Sequence, residues 1–541
     1  MAAIKFSRKE FEKHFKLTEE LKEKINLFGT HLENVTNDEI ELEILPNRPD
    51  LYSLQGFVRA FSIFLGKNKN KEYKIKKSDA KIIVDPIMKS IRPYSMAIIV
   101  KGIKFTNENI KDIMQWQEKI HATIGRNRKK IALGYYVLDK IKFPVKYTAR
   151  PPKEIKFIPL ETNEEMNGLQ ILQSHPTGRE YANQLENFDE FPVYYDSNKN
   201  VLSMPPIINS NDSGKITPGV SDVLIECSGT DLDTLKKAIS LAACDLIEAG
   251  GEAHRVEIIY GSKKEFIDFE PEKLKLNTEN VKKILGLDLK DEEIKKLLEK
   301  MGYNYNTKSK EAEIPAWRTD IMHEVDLIED IAIAYGYEKI VPEIPSIATT
   351  GEVSKTETIK RKIAEILLGL SILETSSYHM LTLDDVKQFS LKDCVEVEDS
   401  KSEYKSLRPN LSIMLLKILK ENVDVEYPQR IFELGKIFKK DDKEETGIKE
   451  TEKLAIAIAD TNANFTTMKQ ILDYLMRMLG KNYSLENQSN EKTFIEGRSA
   501  KIMLEGKEIG SFGEVSPQIL SNLKIKMPVA LLELDIEQLC E

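Results

Sequence analysis

The sequence predicts a multidomain α+β protein, and three observations carry that prediction. The chain has 541 residues, well past the roughly 250–300 at which one hydrophobic core stops growing, so three to five domains are expected. Apolar patterns of period 2 and period 3.6 both occur, and they do not alternate as simple βαβ units. No pattern with a period of roughly 20–50 residues repeats, which excludes a solenoid.

The elements follow in chain order. Residues 1–80 form a first α/β domain with its linker. AAIKF reads as a strand and FEKHFKL as helical. From Glu39 to Leu45 acidic and apolar residues alternate, as in a half-buried strand. Pro46, Pro49 and Asp50 mark a turn, and Asp50 or Ser53 can cap a helix with Leu54, Phe57, Val58 and Phe61 on its core face. The lysine-rich GKNKNKEYKIKK reads as a solvated linker. Residues 81–265 mix strands and helices. RPYSMAIIVKGIKF opens with a strand, and NENIKDIMQWQEKIHATIG is an amphipathic helix with Ile110, Ile113, Met114, Gln117 and His121 along one side. PVYYD, NVLSMPPIIN and DVLIECSG are extended, and a helix runs from Asp231 to Ala249. Residues 266–345 hold the helix DEEIKKLLEKMGY, the strand EAEIPAW, and a helix burying Val325, Ile328, Ala332 and Tyr335. In residues 346–541 the strands ETSSYHML, QRIFELGKIF and LAIAIAD suggest an antiparallel sheet flanked by helices such as LSIMLLKILKEN.

Composition narrows the function classes. Charged residues make up 31% and hydrophobic ones 41%, as in a soluble globular protein. Lys and Arg number 79 against 88 Asp and Glu, a net charge of −9. That excludes a generic nucleic-acid coat, and any RNA contact needs local basic patches. Cys227, Cys244, Cys394 and Cys540 lie far apart with no CxxC pair, so neither a disulfide framework nor a zinc ribbon is expected. No apolar signal core opens the chain and no run of about 18 apolar residues occurs, which reads as cytoplasmic with no membrane partner.

The acidic cluster Asp320, Asp326, Glu329 and Asp330 is the sharpest local signal. Asp326, Glu329 and Asp330 share one helical turn, and no Lys or Arg at i+4 relieves them. A hard cation such as Mg²⁺ would do so; the plainer alternative is an acidic first turn favoured by the helix dipole. RNRKK (126–130) could grip phosphate or be a solvated loop. The chain has no HExxH, G-x-S-x-G, Walker or GxGxxG motif. VLSMPPIINS and IECSGTD gather hydroxyls and one carboxylate, Glu226, where Pro205-Pro206 suits a pocket wall; turn chemistry alone would also explain them.

Taken together, LPNRPDL, QEKIHATIGRNRKKIALGYYVLDKI, VLSMPPIINS, IECSGTD and RTDIMHEVDLIEDIAIAYGYEKI resemble the β subunit of phenylalanine–tRNA ligase, of the archaeal and eukaryotic-cytosolic type. DSKSEYKSLRPNL, RIFELGKIF and GRSAKIMLEGKEIGSFGEVSP extend the likeness over nearly the whole chain. The resemblance implies an editing-type domain over 81–265, a winged-helix-like, magnesium-binding module over 266–345, and a class II synthetase-like but inactive domain over 346–541. It implies an (αβ)₂ heterotetramer whose α subunit binds ATP and L-phenylalanine for attachment to tRNA(Phe). Consistent with this, RIFELG stands where an FRxE-type motif would hold ATP, and no GxGxGxER run follows. The motif positions that carry over are Leu202, Ser210, Glu226 and Ser228 for hydrolysis of mischarged Tyr-tRNA(Phe), and Asp320, Asp326, Glu329 and Asp330 for Mg²⁺. A free-standing aminoacyl-tRNA deacylase and a structural or RNA-binding pseudo-enzyme are the alternatives.

Overall fold

The computed structural model describes residues 2–488 and 492–540. The chain divides into two compact units, Met1–Ile344 and Pro345–Glu541.

The first unit begins with a three-stranded antiparallel sheet, in the order Ala2–Ser7, Glu39–Ile44, His31–Val35. The alternation read from the sequence places Ile40, Leu42 and Ile44 in the core. Helix Leu54–Phe64 covers this sheet with Leu54, Phe57 and Phe61 buried. Ser53, not Asp50, is its cap and accepts from the Gly56 N–H, because Asp50 is held by Arg48. Gly56 has no alternative: a Cβ there would lie 1.9 Å from the Asp50 carbonyl oxygen.

Two larger sheets follow. A five-stranded sheet runs Ile75–Lys76, Glu252–Arg255, Tyr94–Lys101, Val223–Gly229, Ile131–Val137. A seven-stranded sheet runs from Ile208–Asn209 through Val201–Met204, Phe191–Tyr195, Val145–Arg150, Lys81–Val84 and Glu257–Tyr260 to Lys263–Glu265. The Tyr194 hydroxyl bonds Ser95 Oγ at 2.7 Å and ties one sheet to the other. The lysine-rich linker is less solvated than its composition suggests. Tyr73 donates to Glu248 at 2.6 Å, and Ile75–Lys76 adds an edge strand.

A buried polar junction joins three stretches distant in sequence. Asp245, in helix Leu232–Glu248, accepts from Ser53 Oγ at 2.6 Å and pairs with Arg59 at 3.1 Å. The Arg59 guanidinium lies 4.9 Å from the ring centre of Trp317, whose Nε1 donates to Asn70. Burial pushes Asp245 up to about 6, against the charge of Arg59.

The last part of this unit packs helices Thr278–Leu285, Asp291–Lys300 and Glu324–Tyr335 with a small sheet, Glu272–Lys275, Glu311–Ile314, Asn304–Asn306. Ile328 and Ala332 are buried as expected, but Val325 is 47% exposed, and Leu327 and Ile331 take its place in the core.

The second unit centres on a seven-stranded sheet, antiparallel except where Leu373–Glu374 joins Gln429–Lys440. Strand Ile448–Ala459 shows why both faces are covered. Leu454, Ile456 and Ile458 enter one core with helices Lys355–Gly369 and Phe465–Met478, while Ala455, Ala457 and Ala459 face helix Ser412–Glu421. ETSSYHML does not form one strand: only Leu373–Glu374 and Met380–Thr382 are extended.

Candidate functional site

A cavity of about 330 Å³ opens in the first unit over the end of the five-stranded sheet. Its floor follows from strand register. Val223–Gly229 pairs antiparallel with Ile131–Val137 so that Glu226 faces Gly134, and Leu224 faces Tyr136. Directly opposed residues share a face, so Glu226, Gly134 and Tyr136 point the same way. Gly134 makes the floor: a Cβ there would meet the Tyr136 hydroxyl at 2.8 Å and Asn209 Nδ2 at 3.1 Å. Pro205 and Pro206 form one wall, as their stiffness suggested, and Met114, Gln117 and His121 form another.

Glu226 is the chemical centre of this cavity. It is 3% exposed. Its Oε2 receives the Tyr136 hydroxyl at 3.2 Å, while Oε1 is buried without a partner. Desolvation pushes its carboxyl up to about 7, opposed by the nearby Tyr194 and Tyr136 hydroxyls and by the Arg92 charge. The two histidines on the rim are committed. His121 Nε2 accepts from the Leu133 N–H, and His175 Nδ1 accepts from the Thr177 N–H. Ser203 Oγ is held by the Tyr136 hydroxyl at 2.8 Å. No serine in the lining therefore has an imidazole free to take its proton, and nucleophilic catalysis has no place here.

The other sequence-derived pocket positions lie around this cavity, outside its lining. Leu202 points into the main core, and its carbonyl accepts from the Ser210 N–H. Ser228 is wholly buried against Arg92, whose Nε donates to its hydroxyl at 3.1 Å. Ser203, one of the hydroxyls the sequence gathers in VLSMPPIINS, does line the cavity, on the opposite face of its strand from Leu202. Tyr136, Asn209, Glu118, Glu161, His175 and Thr177 are lining polar residues that sequence reasoning missed. Of the RNRKK cations, Arg126 and Lys129 stay exposed while one arginine leaves the loop surface. Arg128 turns inward, 4.4 Å from the Tyr181 ring centre, and donates to the Ile207 carbonyl and Glu118.

The four acidic positions of the third helical region do come together, but with protein partners. Arg318 bonds both oxygens of Asp320, at 2.9 and 2.8 Å, and pairs with Asp330 at 2.6 Å. Asp330 also receives the Tyr303 hydroxyl. Asp326 caps its helix, accepting from the Met322 and His323 N–H groups at 2.8 Å. Only Glu329 is left, exposed and raised by desolvation and by its three acidic neighbours. Among the described residues no group of three or more His, Cys, Asp or Glu is placed to hold a metal. The set does not fit a resident Mg²⁺ as it stands, because Arg318 already holds Asp320 and Asp330 and Asp326 is turned onto backbone N–H groups.

In the second unit, the carboxylate of RIFELG, Glu433, is buried against Arg408 at 2.6 Å and Ser377 Oγ at 2.7 Å. Arg408 also donates to the Lys436 carbonyl at 2.7 Å. This buried cation is neutralised from within and is not offered to a phosphate.

A family model described as the tRNA synthetase B5 domain matches residues 274–337. Another, described as the phenylalanyl tRNA synthetase beta chain CLM domain, matches residues 340–536. A phenylalanine–tRNA ligase beta subunit from Thermococcus sibiricus is 37% identical over 499 residues, 90% of this chain and 88% of that protein. The chain belongs to the family of phenylalanine–tRNA ligase β subunits. Its relative of that name from Archaeoglobus fulgidus is 36% identical over 525 residues, 95% of this chain and 94% of the relative. Among solved structures, an N-terminal fragment of the phenylalanyl-tRNA synthetase β-subunit from Pyrococcus horikoshii superposes with a TM-score of 0.60 at 35% identity. That match covers 62% of this chain and 99% of the fragment. As a β subunit, the chain is a component of a tRNA-charging ligase complex, which implies an α partner. No helix among the described residues is long and apolar enough to cross a membrane.

Proposed function

We propose that this β subunit supports an α subunit in an (αβ)₂ cytoplasmic heterotetramer, and that it hydrolyses mischarged Tyr-tRNA(Phe). ATP, L-phenylalanine and the Mg²⁺ of ATP chemistry belong to the α chain in this reading, since Arg408 is committed to Glu433. Within the Asp320, Asp326, Glu329 and Asp330 group, Asp320 and Asp330 serve as the anionic frame around Arg318, and no step is routed through a metal there.

The observation that carries the editing role is Glu226, which lines a cavity of about 330 Å³ and keeps its Oε1 buried without a partner. Tyrosine is phenylalanine with one added hydroxyl, and an apolar synthetic pocket rejects such an isostere by only about 10²-fold. A second site built around a buried acceptor discriminates in the opposite sense. A tyrosyl phenol donates to Oε1, whereas a phenylalanyl ring leaves the carboxylate unsatisfied and desolvated. With no activated serine in the lining, the ester is cleaved by water that the cavity orients. Deacylation of Tyr-tRNA(Phe) by the α–β complex tests this. The wild-type complex should clear it and Glu226→Ala should not; equal persistence of mischarged tRNA with both would reject the reading.

A further inference from the structure

Glu226 has two oxygens in different situations, and Tyr136 creates the difference. We propose that Tyr136 is the positioning residue for selectivity: its hydroxyl holds Oε2 of Glu226, so that Oε1 is the oxygen left without a protein donor and available to a phenol. This rests on the editing reading above.

The terminal torsion of a glutamate is broad and nearly two-fold, so an unclamped carboxylate presents either oxygen. Here the Tyr136 hydroxyl reaches Oε2 at 3.2 Å, Ser203 Oγ at 2.8 Å and Asn209 Oδ1 at 3.3 Å. A phenol carries one proton, so these three acceptors compete for it. When Glu226 is ionised the charge-assisted bond to Oε2 wins, and the Ser203 hydroxyl turns to donate to the tyrosine oxygen. When Glu226 is protonated, the phenol proton passes to Ser203 or Asn209, and the clamp is released. Tyr136 is itself 2% exposed, and its place exists only because residue 134 is glycine.

Other charged and titratable groups surround the carboxylate. Arg92, Tyr194, Tyr147 and Cys227 lie close to it, while His121, Glu118, Arg128, Glu161 and His175 line the same cavity. Only Tyr136 both touches Glu226 and reaches the cavity's polar wall through Ser203 and Asn209.

The test is steady-state deacylation of Tyr-tRNA(Phe) and Phe-tRNA(Phe) by the α–β complex across pH, for wild type, Tyr136→Phe and Gly134→Ala. With Tyr136→Phe, kcat/KM for Tyr-tRNA(Phe) should fall about tenfold through KM, as for loss of a bond to a charged group. The Phe-tRNA(Phe) reaction should not change. The alkaline rise in Tyr-tRNA(Phe) hydrolysis should move to higher pH, because the lost donor no longer favours ionised Glu226. Gly134→Ala, which pushes the hydroxyl aside, should lose selectivity in the same direction. If the wild type edits and either variant keeps its Tyr/Phe ratio and pH midpoint, the positioning role is wrong and the editing reading stands. If the wild type does not edit, both fall.

Discussion

Replacing Glu226 by Gln should make the first unit more stable above neutral pH and leave it nearly unchanged at about pH 4. An exposed glutamate titrates at 4.5, and in this fold burial raises Glu226 to about 7. As pH climbs through that window the unfolded chain gives up its proton while the folded chain retains it. Protonation therefore favours the fold, and stability falls from pH 4.5 until the folded group also ionises near 7. At about 1.4 kcal/mol per pH unit, the interval amounts to about 3 kcal/mol at pH 8. Glutamine is neutral throughout and escapes this loss. Amide hydrogen exchange of strand Val223–Gly229, compared between wild type and variant at each pH, measures the effect without interference from other titrating groups. The variant should be protected about 100-fold more than wild type at pH 8 and about equally at about pH 4. A wild-type-to-variant ratio that does not vary with pH would refute a buried, proton-holding carboxyl.

Three further variants probe other contacts. Arg318→Met strands the Asp320 and Asp330 carboxylates and should lower stability by on the order of 3–5 kcal/mol, read by thermal unfolding. The same variant should gain Mg²⁺-dependent stabilisation that the wild type lacks, since a cation can then replace the guanidinium. Gly56→Ala drives a methyl into the Asp50 carbonyl and should destabilise by about 3 kcal/mol, visible as a lower unfolding midpoint. Ser53→Ala removes a helix cap and a bond to buried Asp245, and denaturant titration should show a loss of about 2 kcal/mol.

What the sequence shows directly is periodicity within one element. Glu39–Ile44 alternates in burial as its residues alternate in polarity, and the two faces of Ile448–Ala459 enter separate cores. The helix Asn107–Ala122 is more instructive. The stripe read as its core face includes Met114, Gln117 and His121, which line the cavity, while Trp116 and Ile120 provide the packing. Periodicity finds a face that avoids water but does not say whether protein or a pocket lies beyond it. Relations across long separations stay hidden. Tyr136 meets Glu226 only through the register of two strands some ninety positions apart. The acidic cluster seemed unrelieved because its counter-charge, Arg318, acts on Asp330 through the tertiary fold and not at helical spacing. Glu226 could be singled out only through the resemblance carried by IECSGTD, since the residues by themselves are equally well explained by turn chemistry.

The junction of Ser53, Arg59, Asp245 and Trp317 limits how this protein can be taken apart. A truncation that starts after residue 80 would remove both donors to Asp245 and leave its carboxyl facing a hole. The Glu226 cavity is therefore not a cassette that recombination could lift out by its own borders. It travels with the leading segment and with the tryptophan more than two hundred positions further on, or it does not travel intact.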